Sequence, residues 1–154
     1  MKTTFKSTLR KMLSAKMAKL GEIENLAPPA GGWLKAIRVA IGMPSTYAAR
    51  RLGITARSFR EFEENEAAGT ITLKTLRRAA DAIDCELVYA LVPRVGSLEA
   101  IIEKQAHKQA EKLVRPVAHS MRLEGQSTEA ASDRIDELSK QFAATPNASL
   151  WDEG

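Results

Sequence analysis

The sequence is poor in aromatic residues, which make up 5% of it, and it holds a single cysteine, Cys85. So few aromatics imply an aliphatic, alanine-rich core of the kind helical proteins build. One cysteine excludes an intramolecular disulfide framework and a cysteine-cluster zinc site. It also fits a reducing, cytoplasmic setting, and next to an apolar run it reads as a core filler. Long unbroken apolar stretches are missing, so neither a signal peptide nor a transmembrane helix is expected, and no membrane partner. Also missing are a glycine-rich phosphate loop and a His/Cys/Asp/Glu metal cluster. His107 and His119 stand far apart among charged helical neighbours. Ser120 has only the adjacent His119, which points elsewhere on a helix and makes no nucleophile–base pair. No cofactor and no enzymatic activity are expected.

What is present is a soluble balance of 44% hydrophobic and 27% charged residues over 154 residues, room for one domain with an appendage or for two small ones. The net charge of +4 is uneven: residues 1–96 carry sixteen Lys/Arg against nine Asp/Glu, and residues 97–154 seven against ten. A basic part suits a polyanion and an acidic part suits a protein or solvent, although a difference of this size can equally be without meaning.

Apolar spacing predicts a mainly α chain. Phe5, Leu9, Met12, Leu13, Met17, Leu20 and Ile23 form one face of a helix over residues 5–26, stopped by Pro28-Pro29. Its basic opposite face is open to DNA phosphates, to a dimer partner or to solvent. Four short helices follow. The first runs from Gly32 to Ile41, with Trp33, Leu34, Ile37 and Ile41 inward. The second is Ser45 to Leu52, closed by Gly53. The third runs from Ala56 to about Asn65, capped by Thr55, with 66–71 as a loop. The fourth begins at Thr72 and buries Leu73, Leu76, Ala79, Ala80 and Ile83. Residues 86–92 read as one short β-strand closed by Pro93, whose simplest partner is the same strand of a second copy. Helical spacing returns over 97–124 through Leu98, Ile101, Ile102, Leu113, Val117 and Met121, with Pro116 expected to kink or restart the helix. It resumes from Thr128 to about Ala143 through Ala131, Ile135, Leu138 and Phe142, and 144–154 reads as a loose tail apart from Leu150-Trp151. The expected organisation is an N-terminal helix and linker over 1–30, a helix-turn-helix bundle over 31–95, and a C-terminal helical segment and tail over 96–154.

Residues 45–63 carry the chemistry of the middle part. Ala49 is small enough for two helices to cross closely, and Gly53, four residues on, permits a left-handed turn. Ile54, Phe59 and Phe62 pin the following helix, whose N-terminal end is where base contacts belong. The candidate DNA-contacting residues are Ser45, Thr46, Arg50, Arg51, Thr55, Ala56, Arg57, Ser58 and Arg60. Arg57 suits a bidentate guanine contact or a phosphate contact, while Lys35, Arg38, Arg50 and Arg51 suit phosphates or solvent. With the flanking helices, this stretch resembles the lambda-repressor-like, XRE-type DNA-binding domain. The resemblance implies double-stranded operator DNA as partner. Ser45 stands where that family often has glutamine, and Phe59 and Phe62 are bulkier than its usual aliphatics, so its base code does not transfer.

The stretch Ala118-His-Ser-Met-Arg-Leu-Glu-Gly125 contains Ser120 and Glu124 four apart, on one helical face, with Gly125 as a helix stop. A glutamate in a last turn opposes the helix dipole. The segment resembles the inhibitory helix of antitoxins that silence Fic-domain toxins, whose pattern is Ser/Thr, three residues, Glu, then Gly or Asn. That resemblance implies that Glu124, supported by Ser120 and Gly125, occupies the toxin arginine meant for the ATP γ-phosphate. ATP would then bind unproductively for AMP transfer; a carboxylate on a phosphate-binding arginine is a charge-assisted pair. Ser149 to Gly154 fits the same pattern at the chain end without a following helix. Over about residues 5–152 the chain also resembles the family called mobile mystery protein A, through Trp33–Arg38, Thr75–Ala80 and Cys85–Pro93. That family's usual neighbour, mobile mystery protein B, carries a Fic domain. The resemblance implies a Fic toxin as partner, with a homodimer possible. The competing reading is a plain repressor whose C-terminal helices only dimerise.

Overall fold

A computed structural model describes residues 2–21, 23–123 and 128–153. It is mainly α: α1 (Lys2–Ala18), α2 (Trp33–Ala40), α3 (Ser45–Leu52), α4 (Ala56–Ala68), α5 (Leu73–Ala82), α6 (Leu98–Leu123) and α7 (Thr128–Ala144), with short 3₁₀ turns at Ile23–Leu26 and Ala148–Trp151. No helix among the described residues is long and apolar enough to cross a membrane. The helices group into two compact units, Gly21–Ala90 and Met1–Leu20 with Leu91–Gly154.

The first unit closes over a small core of Leu34, Ala48, Ala49, Phe59, Ala79, Ala82 and Ile83. Alanines on α3 meet alanines on α5, so those helices approach closely, and Phe59 fills the centre. Burying Phe59 and Leu34 stabilises the fold by roughly 1.5–3 kcal/mol each. The inward face of α4 is only partly apolar: Phe59 is followed at helical spacing by Glu63 and Glu66. Glu63 is 4% exposed and is held by a two-pronged pair with Arg38 of α2, Nη2 lying 3.0 Å from Oε2. The third guanidinium nitrogen, Nη1, donates to the Met43 carbonyl at 3.0 Å. Glu66 accepts from the Trp33 and Leu34 amides, both at 2.9 Å, and so caps α2 from another helix. Gly32 is required beneath that cap, because a Cβ there would stand 2.6 Å from Glu66 Oε2 and its φ is +87°.

These contacts revise several expectations. Arg38 is not free for phosphate. It shares the buried stripe with Leu34, four residues earlier, while Trp33 and Ile41 lie on the flanks and are exposed. Leu73 is exposed at the start of α5. The third short helix runs on to Ala68, since Glu66 points inward and Gly69 closes the helix in the left-handed conformation. Residues 85–93 form no strand, because a ladder needs a second strand and the described residues supply none. Cys85 is half-buried against the core.

In the other unit, α6 and α7 pair side by side. The buried stripe of α6 is Ala106, Ala110 and Val114, with Ile102 and Ala118 half-buried at the same four-residue spacing. Leu113 and Val117 face out, because small residues let α7 come close where bulky ones would hold it off. The helix continues through Pro116 without restarting. On α7, Ala131, Ile135, Leu138 and Phe142 are half-buried as one face. The tail is docked: Leu150 is buried, and its carbonyl accepts from Gln105 and Gln109 of α6 at 2.8 and 3.1 Å. Helix α1 stops at Ala18 and turns its polar side to α6. Ser14 Oγ donates to Glu99 at 3.0 Å and Arg10 Nε lies 3.3 Å from the same carboxylate, so Phe5, Leu9, Met12 and Leu13 are exposed.

These polar contacts are open to measurement. Glu63→Ala strands the Arg38 guanidinium and is expected to cost about 3–5 kcal/mol, whereas replacing Arg38 and Glu63 together by methionine costs far less; urea unfolding of the three proteins checks this. The Glu99 carboxyl is held below its ordinary value of 4.5, chiefly by its own backbone N–H, then by Ser14 and Arg10 and against a burial cost. A depressed carboxyl stabilises fully above its unfolded pKa and loses that contribution as pH falls through the folded one. Protection of the α1 amides, taken relative to their intrinsic exchange rates at each pH, is therefore expected to fall below about pH 4.5 in the wild type, and to show no such fall in Glu99→Gln.

Candidate nucleic-acid interface

The α3–turn–α4 segment is built as its residue types require. Gly53 adopts φ +68° and ends α3, and the next amide, Ile54, returns to the Ala49 carbonyl at 3.0 Å. That bond brings the chain straight from one helix to the next. Thr55 caps α4, its hydroxyl accepting from the Ser58 amide at 3.1 Å and sitting 2.9 Å from the Ser58 hydroxyl. Ala48, Ala49 and Phe59 are buried beneath, which fixes the start of α4 on the core and leaves its first turn open to solvent.

From Ser45 to Arg60 the chain carries four arginines and no acid. Arg57 projects into solvent, and its one ion pair among the described residues is with Glu61, 3.3 Å away one turn on. Arg60 reaches back to the Ser45 hydroxyl at 3.4 Å, joining the starts of α3 and α4. Thr46, Arg50 and Thr55 are exposed, and Ser45, Ala56 and Ser58 are half-buried. Arg51 is engaged: Nη1 and Nη2 meet the two oxygens of Asp84 at 2.8 and 2.9 Å. Asp84 sits just past α5 at φ +56°, a left-handed position that aspartate tolerates. The guanidinium beside it holds the Asp84 carboxyl below the usual range.

The unit Gly21–Ala90 contains nine Lys/Arg and nine Asp/Glu, so it is neutral overall. The basic excess of residues 1–96 comes mainly from α1, whose neighbourhood over residues 1–20 has six cations and no acid. A local rather than a global field therefore marks the α3–α4 surface. Two of the acids on α4, Glu63 and Glu66, are consumed inside by Arg38 and the α2 amides. Sequence reasoning passes over Tyr47, which is exposed one turn before Arg50. It also passes over Lys74, Arg77 and Arg78 on α5, exposed and without an ion pair among the described residues. The spacing of Tyr47 from Arg50 was the available signal.

Of the second set of candidate residues, Ser120 is exposed near the end of α6, its hydroxyl donating to the Pro116 carbonyl at 3.4 Å. Glu124 and Gly125 lie outside the described residues. In the second match to that pattern, Ser149 belongs to a 3₁₀ turn, and Glu153 pairs with Lys108 at 2.8 Å, which holds its carboxyl below the ordinary value.

Searched against protein-family models, curated proteins and solved structures, the chain matches none.

The Arg51–Asp84 pair is solvent-exposed, and such pairs contribute little. Asp84→Gly keeps the left-handed backbone, so thermal unfolding of that variant is expected to stay within a few degrees of wild type.

Proposed function

We propose that this chain is a dual-function antitoxin: it binds operator DNA through a lambda-repressor-like helix-turn-helix and inhibits a Fic-domain AMP-transferase through the end of α6. The observation that carries the DNA reading is the acid-free stretch from Ser45 to Arg60, whose four arginines lie in the last turn of α3 and the first turns of α4, over an alanine–phenylalanine core. In this reading the N-terminal turn of α4 enters the major groove. Arg57, whose side chain is 85% exposed, reads a base edge, with Thr55, Ala56 and Ser58 beside it. Ser45, Thr46, Arg50 and Arg60 hold the flanking phosphates. Arg51 joins them once a phosphate competes with Asp84 for its guanidinium.

Support for the inhibitory role is the resemblance of the Ser120–Gly125 stretch to Fic-inhibiting helices. The exposed position of Ser120 on a helix backed by α7 is compatible with it. Glu124 then takes the toxin arginine that orients the ATP γ-phosphate. A repressor without a toxin partner is the competing reading.

Two measurements test the two halves. Selection from a random duplex pool should enrich one sequence, bound with an affinity that falls by orders of magnitude between about 50 and 200 mM salt. Arg57→Ala should weaken that binding by about 1–3 kcal/mol and Asp84→Gly should tighten it; binding indifferent to salt and to Arg57 would sink the DNA half. Co-expression with the neighbouring Fic protein should abolish AMP transfer from labelled ATP, and Glu124→Ala should restore it. Equal silencing by both proteins would mean inhibition without Glu124, and silencing by neither would leave the plain repressor.

A further inference from the structure

The segment Glu86–Arg94 is built for a ladder that it does not make within one chain. No backbone N–H or C=O in it has a hydrogen-bond partner among the described residues, none of its residues has a positive φ, and Val88, Tyr89 and Leu91 are 78%, 63% and 82% exposed. Branched and aromatic residues with free backbone groups form an open edge, which natural chains cover or pair.

We infer that Glu86–Arg94 pairs antiparallel with the same segment of a second copy, centred on Ala90, to form a two-stranded intersubunit ribbon. Three features of the segment agree on this occupant and this register. First, a ribbon centred on Ala90 places Glu86 opposite Arg94 of the other copy at both ends, so the only two charges in the segment become two opposite-charge cross-strand pairs. Second, hydrogen-bonded and non-hydrogen-bonded pairs alternate along an antiparallel ladder. With Ala90 in a hydrogen-bonded pair, Pro93 falls in a non-hydrogen-bonded one, where its missing N–H is not needed. Third, the residue that must face itself across the two-fold axis is Ala90, the smallest in the segment. Odd positions then put Leu87, Tyr89, Leu91 and Pro93 on one wholly apolar face, and even positions put the charges on the other. Centring the ribbon on Tyr89 would leave Glu86 opposite Val92 and lose both pairs.

This interface goes beyond the DNA and toxin readings and does not depend on either. A pair joined this way carries two copies of the α3–α4 motif.

The full chain is tested by sedimentation, with circular dichroism to show that each variant is folded. Wild type is expected to dimerise. Glu86→Arg and Arg94→Glu should each weaken the dimer by roughly tenfold or more, since two attractive pairs become repulsive, and the double variant should restore it. Cysteine placement reads the register on a Cys85→Ser background. In Ala90→Cys the two introduced thiols oppose each other across the two-fold axis, with Cα atoms about 5.5 Å apart, within disulfide reach. In Val88→Cys the two introduced thiols stand about 13 Å apart along the ribbon. Rapid oxidative cross-linking of Ala90→Cys but not of Val88→Cys supports the ribbon. A monomer at high concentration, a dimer insensitive to the charge reversals, or cross-linking at 88 in preference to 90 overturns it.

Discussion

The Gly21–Ala90 unit depends on how α4 deals with two glutamates on its inward side. A carboxylate taken out of water is costly unless its lone pairs are used. Glu63 is satisfied by Arg38 in a two-pronged pair, and Glu66 by the first two amides of α2. Helix α2 is only eight residues long, too short to persist on its own propensity. Its position is therefore set by α4, and through Phe59 by the same helix that offers Arg57 to solvent. The residues that fix the motif and those that would touch DNA are thus opposite faces of one element.

That division explains why the surface is basic although the unit is neutral. Glu63 and Glu66 are spent on internal hydrogen bonds and Asp84 on Arg51, while Arg50 at the end of α3 and Arg57 and Arg60 in the first turns of α4 remain outside. Net charge describes long-range attraction, but recognition is decided by which charges are left unpartnered at the surface. The Arg51–Asp84 pair is the intermediate case: exposed, weak, and open to exchange for a phosphate.

The C-terminal unit follows a different rule. Alanines at four-residue spacing on α6 admit α7, and the tail is fastened by glutamine side chains to the Leu150 carbonyl. Leu113 and Val117 are left outside as a result, and α1 meets α6 through Ser14 and Arg10 with its apolar side outward. Apolar periodicity identified these helices and the inward face of α7, but on α6 it chose Leu113 and Val117, which are exposed, since it weighs a leucine above an alanine when the packing constraint is closeness.

The sequence by itself determined the helices, the Thr55 cap, the Gly53 turn and the α3–α4 motif, because these rest on local geometry: a hydroxyl three residues before an amide, and a residue free of a Cβ at positive φ. It also exposed the Ser120–Gly125 stretch, whose spacing is a one-dimensional pattern. Tertiary structure alone decided that Arg38 is buried, that Arg51 is paired, that Trp33 and Leu73 face out, and that residues 86–92 find no partner strand among the described residues. Each of those outcomes depends on a partner distant in sequence, or on the lack of one, and no local preference encodes where a salt bridge or a second strand will be found.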